Sequence, residues 1–147
     1  MPLALNRSTK VTSVVIAVAL GAVALGIARL INTRRPSTAP AGGPHIPAQI
    51  DRADFARPEV PVLVAVFTSA TCTSCAAMLT AAREIESDAV AVDEIEAGRQ
   101  RAVHDRYEID AVPIAIVVDE GGIVRASFAG SVTVEDLRAA VAQIEAR

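Results

Sequence analysis

The sequence contains no tryptophan, one tyrosine and three phenylalanines among its 147 residues. Any hydrophobic core must therefore be built mainly from Val, Ile, Leu and Ala side chains. The length excludes a multidomain enzyme and a membrane protein with several spans, and it predicts one small domain. Cysteine is also scarce, because the two cysteines of the chain, Cys72 and Cys75, lie three positions apart.

Charge of either sign is sparse and unevenly placed. The formal net charge is -3, but residues 1–45 contain basic residues and no acidic one. Residues 46–147 contain nine arginines and all 17 acidic residues, which gives this part a net charge of -8. Because contacts to phosphates need a basic face, we do not expect the acidic part to bind nucleic acid.

One long hydrophobic run is present near the amino terminus. Residues 11–31 read VTSVVIAVALGAVALGIARLI, in which only Thr12, Ser13 and Arg29 are polar. As an α-helix this run spans about 31 Å at ~1.5 Å per residue, which matches the hydrocarbon thickness of a bilayer. We therefore predict a basic tail at residues 1–10 and a single transmembrane anchor at residues 11–31.

A cleaved signal peptide comprising residues 1–28 is the alternative. Arg7 and Lys10 would then form its basic region. The apolar run is long for a signal peptide, and Arg29, Arg34 and Arg35 would be an unusual start for a mature protein. Basic residues are nearly balanced on the two sides of the run, so the sequence does not indicate which side of the membrane carries the domain.

Residues 32–47 are rich in Pro, Gly and Ala and are predicted to be a linker. Such a linker would hold an acidic domain away from an anionic lipid surface. The remaining residues, 48–147, are predicted to form the folded domain.

Hydrophobic periodicity predicts the order β-α-β-α-β-β-α for this domain. The expected strands are Val60–Phe67, Ala89–Ile95, Ile114–Val118 and Ile123–Phe128. The first helix is expected from Cys72 to about Glu86. The second is expected over Arg99–Tyr107 with Ala102, Val103 and Tyr107 inward, and the third follows a capping pair of Thr133 and Asp136. This order predicts an α/β fold, with a mixed sheet that helices cover on both faces.

The Cys72-Thr73-Ser74-Cys75 motif follows a buried strand and is expected to open a helix. Unpaired N–H groups and the positive end of the helix dipole favour the thiolate at such a place, and the thiolate is the nucleophile. We therefore predict that Cys72 is the more exposed, attacking thiol and that Cys75 resolves the mixed disulfide. No Lys, Arg or His lies between Arg57 and Arg83, so no local side-chain cation stabilises the thiolate. The hydroxyls of Thr73 and Ser74 are expected to contribute to its stabilisation.

Three other uses of a cysteine pair with this spacing are a zinc site, a copper site and a structural disulfide. A structural zinc site needs four ligands, and His45 and His104 are the only histidines that could join the cysteines. Copper-carrying domains usually have Met two places before the first cysteine, where this chain has Ala70. A purely structural disulfide gains little from closing so short a loop. We expect neither a metal nor another cofactor.

Two segments, VPVLVAVFTSATCTSC and DAVPIAIVVDEGGIVRASFAG, resemble the thioredoxin-like family, and the resemblance extends from about Ile50 to Ala146. It implies a three-layer α/β/α sandwich. It also implies that Pro113 is cis and lies beside Cys72, that backbone groups of Val112 pair with a substrate, and that Gly130 keeps the groove open. Thr71, Thr73 and Ser74 would line the same groove.

The sequence departs from the family pattern at several positions. Thr71 stands where Trp is usual, Thr73-Ser74 replaces Gly-Pro, and Ile114 replaces a common Thr. Val66 occupies the place of a buried acid that takes the proton of the second cysteine in many members. These departures cast doubt on efficient general disulfide reduction.

Together with the predicted anchor, the resemblance implies a membrane-tethered thiol–disulfide oxidoreductase that acts on protein disulfides or dithiols. The alternative is a thioredoxin-fold binding module, weak or inactive in redox chemistry, that holds a membrane-proximal partner. The redox direction, the redox partner and the oligomeric state are not determined by the sequence.

Overall fold

Short apolar runs rich in β-branched residues form a four-stranded mixed sheet. The structure, a computed structural model, describes residues 43–147. The strands are β1 (Val62–Thr68), β2 (Val90–Glu96), β3 (Ile114–Val118) and β4 (Val124–Ala129), in the order β2-β1-β3-β4. Strands β1 and β2 are parallel, and β3 is antiparallel to both β1 and β4. Every residue of β1 and β3 is buried, as expected for central strands covered on both faces.

Three helices and one short turn complete the described chain. The helices are α1 (Cys75–Arg83), α2 (Arg101–Arg106) and α3 (Val134–Glu145), and a 3-10 turn covers Arg52–Asp54. The predicted capping pair is confirmed, because Thr133 and Asp136 form a reciprocal capping box at the start of α3. Hydrogen bonds from the Thr133 hydroxyl and N–H lower the pKa of Asp136.

Two predicted details of the helices were wrong. Helix α1 begins at Cys75 rather than Cys72, because residues before it form a turn in which the Cys72 N–H donates to the Ser69 carbonyl oxygen (3.1 Å). In α2, Ala102 is exposed and His104 is buried. This short helix presents His104 and Tyr107, three positions apart, to the sheet, so Ala102 lies on its outer side.

Alternate residues of the central strands pack into two separate cores. Leu63, Ala65 and Phe67 belong to one core, and Val62, Val64 and Val66 belong to the other. The first core includes Phe55 and Tyr107, and the second includes residues of α1 and α3, among them Met78 and Leu137. The predicted covering of both sheet faces is therefore confirmed.

The segment that precedes β1 is tied to the β3–β4 hairpin. The N–H of Ile50 donates to the Gly122 carbonyl oxygen (2.8 Å), and the N–H of Val124 donates to the Ala48 carbonyl oxygen (3.0 Å). Arg52 is buried, and its guanidinium donates to the carbonyl oxygens of Asp119 (3.0 Å) and Val60 (2.8 Å). These bonds fix the start of the domain at the end of the sheet where β3 ends.

The predicted tail, the anchor at residues 11–31 and most of the linker lie outside the described residues. Among residues 43–147, no helix is both long enough and apolar enough to cross a membrane.

Candidate active site

The cysteine pair lies at one end of the sheet, where four chain segments meet. Phe67, near the end of β1, pairs with Ile114 at the start of β3 and with Ile95 near the end of β2. Ile114 in turn pairs with Ala129, the last residue of β4. The register therefore places three segments at the same end of the sheet: the loop after β1, the Pro113 peptide before β3 and Gly130 after β4.

Cys72 and Cys75 form a disulfide with an S–S distance of 2.03 Å and a Cα–Cα distance of 5.5 Å. Cys75 is the first residue of α1 and is only 5% exposed, whereas Cys72 precedes the helix and is partly exposed. The predicted difference in exposure is confirmed. The accessible sulfur is thus the one at the approach to the helix amino terminus, where a thiolate is favoured.

Ser74, one of the predicted groove residues, has its hydroxyl near the Cys72 sulfur. Its Oγ lies 3.8 Å from the Cys72 Sγ, and its side chain makes no capping hydrogen bond to α1. The Thr71 hydroxyl instead lies 3.5 Å from that of Ser69, and Thr73 is exposed. A hydroxyl at the position of Ser74 can donate to a Cys72 thiolate in the reduced protein.

The Val112–Pro113 peptide bond is cis, as the resemblance implied. Pro113 is buried and Val112 is half-buried against the first core. The Pro113 carbonyl oxygen accepts a hydrogen bond from the N–H of Gly130 (3.0 Å), and Gly130 has a φ of +85°. The structure therefore joins the two predicted groove residues Pro113 and Gly130 directly.

The chain segments at this end of the sheet carry no charged side chain, and their exposed side chains are small. No charged residue occurs at positions 69–77, 111–113 or 129–134. The exposed residues of these segments include Ala70, Thr71, Thr73, Ser74, Ala111 and Ala129. Short neutral side chains let a partner's backbone come close to Cys72 without desolvating a charge.

Solved structures with the same architecture exist. One, titled as the structure of a malarial protein, has a TM-score of 0.51 and 15% identity, over 56% of this chain and 96% of its own. Chloroplastic thioredoxin z has a TM-score of 0.50 and 19% identity, over 59% of this chain and 80% of its own. The fold is thioredoxin-like. A mutant thioredoxin from Halobacterium salinarum also matches, with a TM-score of 0.49, 20% identity and coverage of 60% and 75%. No family model and no curated protein matches the sequence.

This thioredoxin-like site has no acid in the strand behind the disulfide. Val66 is fully buried in the core that contains α1, and its register partners are Glu94 of β2 and Ala115 of β3. Glu94 lies on the α1 face of β2, but its carboxylate is already engaged. It accepts a hydrogen bond from Thr68 (3.1 Å) and lies 3.7 Å from Arg83 and 3.6 Å from Arg99.

The sequence reasoning missed Glu96, the last residue of β2. Its carboxylate accepts hydrogen bonds from the backbone N–H groups of Ala70 (3.1 Å), Gly98 (3.0 Å) and Arg99 (3.0 Å). The available signal was an acid at the end of a strand with glycine two residues later, which is typical of a side chain that turns back onto a loop. Ala70 lies two residues before Cys72, so Glu96 contacts the loop that carries the attacking sulfur.

The two histidines that could join the cysteines in a zinc site, His45 and His104, contact other groups. The ring Nε2 of His104 lies 2.9 Å from the Ile95 carbonyl oxygen, and the ring packs edge-on against Phe67 at 5.2 Å. His45 lies beside Glu108, with 4.0 Å between its Nε2 and the carboxylate. His104 is thus held on the sheet face opposite α1, with its Nε2 turned to a backbone carbonyl.

An open cavity of about 590 Å³ lies near the opposite end of the sheet. Its lining includes Gln49, Arg106, Tyr107 and Gly121. Some of its polar groups bond to one another or to neighbouring residues, for example Tyr107 to Asp54 and Gln49 to the Gly121 carbonyl oxygen. Burial and the Asp54 hydrogen bond raise the pKa of Tyr107. This cavity is lined by none of the residues of the cysteine motif or of the Pro113 peptide.

Proposed function

We propose that this chain is a thiol–disulfide oxidoreductase that exchanges disulfides with protein substrates. The observation that carries the proposal is the Cys72–Cys75 disulfide, in which Cys72, at the approach to the helix, is partly exposed and Cys75, inside the helix, is buried. The cis Pro113 peptide at the same edge and the thioredoxin-like fold support it. Because a fold alone does not define an activity, the geometry of the two cysteines is the main support for the proposed function.

The reaction follows from the different positions of the two sulfurs. In the reduced protein, the Cys72 thiolate attacks one sulfur of a substrate disulfide, a mixed disulfide forms, and the other substrate sulfur leaves as a thiolate that takes a proton. Cys75 then loses its proton and attacks the Cys72 sulfur, which releases the second substrate thiol. Two electrons pass from the dithiol to the substrate, and the reverse sequence oxidises a substrate dithiol.

The resolving step is expected to be slow in this chain. Val66 cannot accept the Cys75 proton, and Glu94 is engaged by Thr68 and two arginines. Water is then the proton acceptor, and a poorly activated resolving thiol lengthens the life of the mixed disulfide. This property suits a narrow set of substrates rather than general disulfide reduction.

Turbidity of insulin in the presence of dithiothreitol tests the activity. The wild-type protein is compared with Cys72→Ser and Cys75→Ser. We expect acceleration by the wild type and none by Cys72→Ser. Equal rates for all three proteins would reject general disulfide reduction.

The second candidate, a binding module, is favoured by the buried Val66 in place of an acid. Trapping distinguishes it, because Cys75→Ser should accumulate mixed disulfides through Cys72. Double replacement of Cys72 and Cys75 by Ser is the matched control. Partners recovered equally with the double variant would support binding without redox chemistry.

We further propose that residues 11–31 anchor the domain to a membrane as a single-pass helix, from the apolar run and the basic residues that flank it. Labelling of mildly reduced cells with an impermeant maleimide tests the orientation, with Cys72→Ser as the unlabelled control. A separate test addresses the anchoring itself: if residues 11–31 span the membrane, the chain is expected in the membrane fraction after an alkaline carbonate wash. A mature protein that starts near residue 29 would instead establish a signal peptide.

A further inference from the structure

The Glu96 carboxylate, at the end of the edge strand β2, accepts hydrogen bonds from three backbone N–H groups. Its Oε1 accepts from Ala70 and Gly98, and its Oε2 accepts from Arg99, all within 3.1 Å. The side chain is only 16% exposed. Hydrogen bonds from N–H groups to a carboxylate are about twice as strong as neutral ones, so this arrangement holds the contacted loops firmly.

One of those loops carries the attacking cysteine. Ala70 is two residues before Cys72 and lies within the turn that is closed by the hydrogen bond from the Cys72 N–H to the Ser69 carbonyl oxygen (3.1 Å). At ~3.3–3.6 Å per residue, the two Cα atoms lie within about 7 Å of each other. Among the described residues, the Glu96 bond is the one side-chain hydrogen bond that ties residues 69–74 to another strand or helix.

The Glu96 carboxylate is stabilised as an anion. The Gly98 N–H makes the largest contribution to lowering the pKa of Glu96, and the N–H groups of Arg99 and Ala70 and the Arg99 guanidinium add to it. Burial opposes this effect and is outweighed. Arg99 also lies 3.6 Å from Glu94, so one arginine serves both acids on the α1 face of β2.

We propose that Glu96 is a positioning residue for the Cys72–Cys75 couple. By holding the Ala70 N–H, it restrains the loop so that the Cys72 sulfur stays within bonding distance of Cys75, and it thereby favours the disulfide form. The restraint lowers the entropy lost when the S–S bond closes. The inference rests on the proposed redox function and adds to it a residue outside the CxxC motif and the cis-proline peptide.

The fixed charge of Glu96 gives a second, separable effect. A negative charge near the Cys72 loop disfavours the thiolate, so its removal should lower the pKa of the Cys72 thiol. At a separation of about 10 Å, the expected change is a few tenths of a pH unit. Glu96→Gln removes the charge but keeps an oxygen that can accept from Ala70, whereas Glu96→Ala removes both.

Equilibration of the full chain with glutathione buffers tests the proposal. The fractions of disulfide and dithiol are read by alkylation and mass spectrometry. For Glu96→Ala, we expect the equilibrium constant for Cys72–Cys75 disulfide formation to fall about tenfold, which corresponds to about 30 mV. For Glu96→Gln, we expect a fall of less than about threefold, together with a lower pH midpoint of Cys72 alkylation.

Glu94→Gln is the matched control, because Glu94 lies two residues earlier on the same face and also faces Arg99 but makes no bond to residues 69–74. Its equilibrium constant should stay within about twofold of wild type. A folded Glu96→Ala with an unchanged constant would overturn the proposal, as would an equal shift in Glu94→Gln. If Glu96→Ala does not fold, Glu96→Asp, which withdraws the carboxylate by one methylene, decides by the same criterion.

The test separates this inference from the proposed function because it needs only glutathione. If the wild-type protein equilibrates with glutathione but reduces no protein disulfide, the proposed activity is rejected. The comparison of Glu96→Ala with Glu94→Gln still tests the role of Glu96 in that case. Hydrogen exchange of the Ala70 N–H adds a readout on the same bond. Exchange should accelerate in Glu96→Ala and stay slow in Glu94→Gln.

Discussion

The N–H of Gly130 donates a hydrogen bond to the carbonyl oxygen of Pro113 (3.0 Å). The bond joins the end of β4 to the peptide that precedes β3, at the end of the sheet where β1 runs into the cysteine loop. A second glycine with positive φ, Gly122 (+78°), lies before β4 at the other end of the same strand. The surroundings of the two glycines differ. Among the described residues other than its chain neighbours, no atom lies within 4 Å of a Cβ added at Gly130, whereas a Cβ added at Gly122 would lie 2.2 Å from the Ile50 carbonyl oxygen.

We expect Gly130→Ala to lower the free energy of unfolding by about 1 kcal/mol and Gly122→Ala to lower it by about 3 kcal/mol. Both variants place a Cβ on backbone with positive φ, and only the second adds a clash with backbone. Urea denaturation measures both values. Gly121→Ala, next to Gly122 and without positive φ, is the control and should change stability little. Equal losses at Gly122 and Gly130 would contradict the assigned contact with Ile50.

Cys72 and Cys75 should differ in reactivity once the disulfide is reduced. Cys75 is 5% exposed and packed at the start of α1, whereas Cys72 is partly exposed near the Ser74 hydroxyl. We expect iodoacetamide to modify Cys72 at least about tenfold faster, as followed by peptide mass spectrometry. In urea the two rates should converge, which serves as the internal control. Similar rates in the folded protein would mean that Cys72 is not the attacking thiol.

Restoring an acid at the buried strand position should be costly in this chain. The carboxyl introduced by Val66→Asp would lie in a fully buried site, in register with Glu94 on the same sheet face. Burial and the neighbouring carboxylate would both raise its pKa, so the charge penalty is absent below the unfolded pKa of about 3.9 and grows as pH rises. We expect a loss of about 3 kcal/mol or more at pH 7 and a smaller loss at pH 4.

Val66→Asn provides the comparison for this experiment, since it is polar and of similar size but does not titrate. Thermal denaturation from pH 4 to pH 7 should show a widening difference between the two variants. If the stabilities of the two variants change in parallel with pH, water reaches the introduced carboxyl group. Position 66 would then not lie in the dry interior that the burial of Val66 indicates.

The β3–β4 turn should contribute to acid sensitivity through Asp119. Burial alone would raise the pKa of Asp119, but N–H groups of Ile123 and Gly121 and the Arg125 guanidinium outweigh it and hold that pKa below its ordinary value of 3.8. A lowered folded pKa gives stability that is present above pH 3.8 and is lost as pH falls through the folded value. We expect Asp119→Asn to cost about 2 kcal/mol at pH 7 and much less near pH 2.

Glu120→Gln is the neighbouring control for Asp119→Asn, because Glu120 is exposed at the tip of the same turn. Urea midpoints at pH 7 and pH 2 supply the measurement. A loss for Asp119→Asn that does not depend on pH would assign its role to shape rather than to charge.

Local sequence signals predicted most of the secondary structure because their causes are local. The apolar β-branched runs predicted the two central strands β1 and β3, the β3 bounds were correct at Ile114–Val118, and the Thr133–Asp136 pair predicted the start of α3. The start of α1 was placed three residues too early. The turn through Ser69 and Cys72 is closed by a backbone hydrogen bond that the side-chain pattern does not encode.

The sequence by itself determined which residues could do chemistry: two cysteines one helical turn apart after a buried strand, and a Val-Pro pair before the next central strand. Only the tertiary structure decided what surrounds them. Glu96 and Gly130 are 24 and 58 positions from Cys72 in the chain, and the register of β1, β2, β3 and β4 brings their backbones to one edge. Hydrogen bonds between such distant residues depend on strand order, which a local pattern of side chains does not specify.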